Sequence, residues 1–133
     1  EFGPTKEAGP LGIRMRDELR ADKGSGVITN SGGGHGESEC WSKEAEWCDY
    51  AGKIEDNFYG ITAYDHKDNE RYPTTWHVRD YGLFAANNLH FKGGLTIAEN
   101  ATLTYKFRIL LRRDEMSMEE LEKRYQRYLG GDQ

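Results

Sequence analysis

The sequence predicts an all-β domain: an antiparallel β-sandwich or jelly-roll-like sheet with one C-terminal α-helix. Three observations carry that prediction. Glycine and tyrosine are abundant, 16 and 8 in 133 residues, with 3 tryptophans, as in a turn-rich β domain. Several short stretches alternate apolar and polar residues, the period of a half-buried strand. Only near the C-terminus does a helix start signal precede a helical stripe. The length is that of a single domain spanning residues 1–133, which buries roughly two thirds of its unfolded surface.

Taken in order, Gly12-Ile13-Arg14-Met15-Arg16 alternates as a strand, and 22–26 is a turn. A short strand, Val27-Ile28-Thr29, leads into a glycine-rich loop, Asn30 to Glu37. That loop lacks the G-x-x-x-x-G-K-[ST] spacing and a following helix pattern, so it is no phosphate cradle. Bare backbone there would let His35 and Glu37 approach a ligand. Trp41 to Tyr50 reads as a strand closed by Ala51-Gly52. Phe58 to Tyr64 is the clearest strand, and Asp65 to Asn69 a polar loop. Pro73 lacks a ladder donor and ends that stretch. Thr74 to Arg79 is a further strand, and Tyr81 to Ala86 either continues it or turns back. Leu103 to Leu111 alternates over a long stretch. Ser117-Met118-Glu119-Glu120 is a capping box, opening a helix over 117–129 with Met118, Leu121, Tyr125 and Tyr128 or Leu129 on one face. Gly130-Gly131 stops it.

The net charge of −5 argues against nucleic acid held through phosphates. The longest apolar runs are only a few residues, so neither a membrane span nor a signal-peptide core is visible. A soluble protein is expected. Cys40 and Cys48 lie eight positions apart, too far for a zinc knuckle. They form a disulfide if the segment is a hairpin, and are otherwise two buried thiols.

The informative stretch is Asp65 to Tyr81, with two histidines, two arginines, several carboxylates and three aromatic residues. On a strand, His77 and Arg79 share a face with Thr75, while Trp76 and Val78 take the opposite, core face. His66 and Asn69, in the preceding loop, could fold over the polar face. Rings cover the apolar faces of a sugar, while amides, carboxylates and arginine hold its hydroxyls or a uronate. His66, His77 or His35 suit general base work, with Glu37, Glu39 or Asp65 as acid. A metal site of His35, His66 and His77 with Glu37 is the third possibility, although no two histidines have close ligand spacing. His90 is expected at the surface.

Several strings carry a resemblance: Thr5-Lys6-Glu7, Gly12-Ile13-Arg14, Asn30-Ser31-Gly32, Gly36-Glu37, Trp47 to Gly52, Asp65-His66, Tyr72-Pro73-Thr74 and Trp76 to Leu83. From about Thr5 to Tyr105 they resemble the bacterial PmoA family, the methane oxygenase PmoA-like domain of unknown function. Lys67 stands where that family's loop has proline. The resemblance implies a soluble all-β protein of bacterial cytoplasm or periplasm, with a role in carbohydrate breakdown. It also implies the C-terminal half of a longer domain. Half a sandwich leaves open edges, so a homodimer or a complementary chain covering the open sheet is expected. The polar positions it implies are Glu7, Arg14, Glu37, His66, Asn69, His77 and Arg79.

The expected function is a glycoside-processing enzyme, a hydrolase or lyase. His77, His66 and Glu37 would move protons. Arg79, Arg14, Asn69, Glu7, Trp76, Tyr81 and Trp41 would bind the carbohydrate. No cofactor is predicted. One alternative is a non-catalytic carbohydrate-binding module with Trp41, Trp47, Tyr64 and Trp76 as platform. The other is a copper- or iron-dependent oxidase, its divalent metal held by His35, His66 and His77.

Overall fold

The computed structural model describes residues 9–131. The expected fold class is present: two antiparallel sheets and one C-terminal helix. Strands β1 (Leu11–Arg14), β6 (Leu83–Ala86) and β5 (Trp76–Val78) make a three-stranded sheet in that order. Strands β2 (Val27–Asn30), β3 (Trp47–Ile54), β4 (Asn57–Asp65) and β7 (Phe107–Arg112) make a four-stranded sheet. A five-residue helix, α1 (Gly36–Cys40), follows β2, and α2 (Met118–Leu129) closes the described chain. No helix of the described residues is long and apolar enough to cross a membrane.

The sheets pack face to face over one core. Trp76, Val78, Phe84 and Ala86 meet Ile28, Cys48, Tyr50 and Ala63 there. The alternation along β3 sends Trp47 to the other face, where with Tyr64 it meets Leu121 and Tyr125 of α2. The capping box forms: Glu120 N donates to Ser117 Oγ, and Ser117 N to Glu120 Oε2 at 2.9 Å. Beside α2, on the same face, Arg112 Nη2 donates to Asp49 Oδ2 at 2.8 Å and Nη1 to Thr62 Oγ1 at 2.8 Å. This pair is almost fully buried and ties β3, β4 and β7 together. Residue 60 faces the guanidinium, and a Cβ there would lie 2.5 Å from Arg112 Cζ, so any side chain would displace the guanidinium from its place.

Four sequence expectations change. Trp41 to Tyr50 is not one strand, since α1 fills part of the glycine-rich stretch and β3 begins only at Trp47. The residues between serve the other sheet: Ser42 N donates to Trp76 O, Trp76 N to Lys43 O, and Ala45 N to Thr74 O. β3 also runs past Ala51-Gly52, held by full pairing with β4. β7 starts at Phe107 because Asn69 engages Lys106 instead, accepting from its N–H and donating to its carbonyl. β5 is buried on both faces, so His77 is as enclosed as Trp76 and Val78. Tyr81 to Ala86 turns back, as the hairpin β5–β6. Cys40 and Cys48 are separate buried thiols on α1 and β3.

Removing one partner of a buried ion pair leaves the other charge stranded. Asp49→Ala is therefore expected to lower unfolding stability by about 3–5 kcal/mol, with Asp49→Leu/Arg112→Leu recovering most of that loss, as read from urea denaturation.

Candidate functional site

The β5–β6 hairpin builds the site. Its turn is Arg79-Asp80-Tyr81-Gly82, closed by Gly82 N donating to Arg79 O at 3.0 Å and Arg79 N to Leu83 O at 2.8 Å. Gly82 sits at φ +94°, where side chains are rarely tolerated. Tyr50, rising from β3, anchors this turn from below. Its hydroxyl accepts from Ala21 N at 2.9 Å and lies within donor reach of Asp80 O at 3.0 Å. The turn places Arg79 and Tyr81 side by side, the guanidinium carbon 5.2 Å from the ring centroid. Arg14, from the neighbouring β1, covers the same ring at 5.6 Å.

The short helix α1 brings the remaining groups. Glu37 Oε2 lies 2.9 Å from Arg79 Nε and accepts from Asp80 N at 2.7 Å. Trp41 ends α1, its N–H bonded to Glu37 O. Its indole Nε1 donates to His77 Nδ1 at 2.9 Å, and its ring lies 5.8 Å from the Arg79 guanidinium carbon. Phe91 packs edge-on against Trp41, its ring centroid 5.3 Å away. Because Nδ1 of His77 accepts, the neutral ring carries its proton on Nε2. The expected base thus presents a donor there.

Six expected site residues therefore come together: Arg14, Glu37, Trp41, His77, Arg79 and Tyr81. Others do not join them. His66 stands at the end of β4, its ring edge-on to Tyr128 of α2 and its Nδ1 accepting from Asp68 N at 3.2 Å. Asn69 is buried, and its amide is spent on Asp65 and Lys106. Trp76 is a core residue, with Nε1 bonded to Ala45 O, so it cannot meet a ligand. Glu7 lies outside the described residues. His35 stands at the N-cap position of α1, its side chain making no capping bond, and lines a cleft with Thr29 and Met118. Among the described residues no group of three metal-binding side chains exists, so His35, His66 and His77 form no metal site. Their separate elements hold them apart. The aromatic platform fails likewise: Trp47, Tyr64 and Trp76 are buried and only Trp41 is partly open.

Two members escaped the sequence reading. Tyr50 looked like one more apolar strand residue, and its role depends on the turn above it. Asp80 in the sequence is one more member of a polar string, with no local signature. Its carboxyl is raised from its ordinary value, chiefly by burial and then by the neighbouring Glu37.

A family model described as a family of unknown function, DUF6807, matches residues 1–126. The chain belongs to DUF6807. This overturns the resemblance to the PmoA family, to which nothing in the comparisons points. The shared strings are short, and DUF6807 membership rests on nearly the whole chain. No curated protein and no solved structure matches this DUF6807 chain.

A raised folded-state carboxyl gives stability that is present below its unfolded value and lost as pH rises through the folded one. Asp80→Asn is thus expected to be more stable than wild type at about pH 7, and to lose that advantage below about pH 4, in paired thermal melts across that range. Trp41→Phe removes the indole donor to His77 and is expected to cost about 1–2 kcal/mol in the same assay.

Proposed function

We propose that this chain binds a carbohydrate bearing a carboxylate, at the cluster formed by the β5–β6 turn and α1. The observation that carries the reading is Arg79. Its guanidinium lies within 6 Å of both the Trp41 and Tyr81 rings, with Arg14 also 5.6 Å from the Tyr81 ring. Two arginines beside one ring suit a planar carboxylate and adjacent hydroxyls, which take paired N–H donors. Partly open aromatic faces beside them suit the C–H surface of a sugar ring. His77, held behind Trp41, sets the indole's tilt and so acts as a positioning residue. In this reading the protein works in aqueous solution, in cytoplasm or periplasm.

A second reading, glycoside processing, is favoured by the carboxyl pair Glu37 and Asp80. Asp80 holds its proton to higher pH than an ordinary carboxylate. A carboxyl that keeps its proton to higher pH beside a second carboxyl suits the general acid of such chemistry. His77 then orients, and proton transfer falls to the carboxyls.

The test is a chemical-shift titration with galacturonate against galactose, followed at the Trp41 indole N–H. The uronate is expected to shift that signal and saturate at about millimolar concentration, with neutral sugar at least tenfold weaker. Arg79→Ala should abolish the difference. Equal response to both sugars, or none from either, overturns the binding reading. For the enzymatic reading, release of nitrophenol from aryl glucuronides should fall about a hundredfold in Glu37→Gln. Activity unchanged in that variant would remove the carboxyl from the chemistry.

A further inference from the structure

The two sheets do not match in width. Three strands face four, and β7 is an edge strand of the larger sheet, with Phe107 packed against the core. Ile109 and Leu111 stand in register with Ala63 and Ile61, so they point to the core side of their sheet. They are nevertheless 39% and 73% exposed. Beside them, β1 is the edge strand of the smaller sheet, unpaired on its outer side among the described residues. Between β1 and β7 runs a cleft of about 370 Å³ with an apolar floor that includes Ile13 and Ile61. The opposite edge of that sheet is different, because Lys43 to Ala45 cover β5.

We propose that this cleft receives an extended strand from another protein, with apolar residues alternating with acidic ones. The strand would pair with β1 and lay its apolar side chains over Ile109 and Leu111, completing the second sheet. The charge pattern selects the occupant. Four arginines and no carboxylate line the cleft, in a chain of net charge −5. Arg112 is neutralised by Asp49; at the rim, Arg16 is held by Glu18 in an exposed ion pair of 2.8 Å and Arg113 lies over the Tyr59 ring with its charge unopposed by any carboxylate lining the cleft. A second copy would set those rim arginines against their own counterparts, and an acidic strand satisfies them. Free edge and apolar strip alike have the period of a strand, which favours an extended segment over a helix.

The experiment uses two short peptides, one alternating valine with glutamate, the other valine with lysine. The acidic peptide is expected to bind, to slow amide exchange along β1, and to shift the Leu111 signals. The basic one is expected not to bind. Leu111→Asp, a change at an exposed position, should weaken binding roughly tenfold while leaving the circular dichroism spectrum unchanged, and Arg16→Glu/Arg113→Glu should weaken it similarly. Equal binding of both peptides, or of neither at millimolar concentration, overturns the proposal. So does a dimer in sedimentation velocity that Leu111→Asp dissociates, because the cleft would then belong to a second copy.

Discussion

The hydrogen bond from Trp41 Nε1 to His77 Nδ1 holds the candidate site together, and its necessity comes from burial. β5 is only three residues long and is enclosed on both faces. An imidazole in that position needs a polar partner, since leaving a buried acceptor unpaired costs on the order of 1–3 kcal/mol. The indole meets that need and thereby pins the end of α1 against the smaller sheet. Backbone bonds from Ser42 and Lys43 to Trp76 complete the attachment. Glu37 is then carried to the β5–β6 turn, where it meets Arg79 and Asp80. A structural requirement in the core thus assembles charged groups at the surface.

The four-stranded sheet is organised by a similar economy on its outer face. α2 covers Trp47 and Tyr64 with Leu121 and Tyr125. Where the helix ends, the charged pair Asp49–Arg112 takes over, with Thr62 bonded to both partners. Gly60 leaves the guanidinium its place. Further along, Asp65 accepts from Asn69 and from Thr74 N, holding the loop that leads into β5. Burial pushes the Asp65 carboxyl upward, and these donors act against that shift. Asn69, expected to bind ligand, is instead a strut between this loop and Lys106.

Strand, turn and helix patterns were largely legible. The clearest strand, Phe58 to Tyr64, lies within β4, and the capping box at Ser117 and Glu120 marks the start of α2. Where reading by period went astray, long-range bonds decided the outcome. Lys106 is diverted by Asn69, and residues 42–45 by Thr74 and Trp76. The site was legible in part. His77 and Arg79, two positions apart, could be paired from spacing alone, and both reach the site. Glu37 and Trp41 could be suspected from residue type, but not placed. Asp80 and Tyr50 have no local signature.

By itself the sequence determined the β class, the C-terminal helix and the residues able to build a polar, ring-bearing site. These depend on local periodicity, capping and side-chain chemistry, which neighbouring residues settle among themselves. The tertiary structure alone decided which faces were buried. It enclosed His77 and Trp76, separated His66 and His35 from His77, and left Ile109 and Leu111 bare. Whether a strand has one covered face or two depends on what packs across from it, and no local pattern along the chain carries that information.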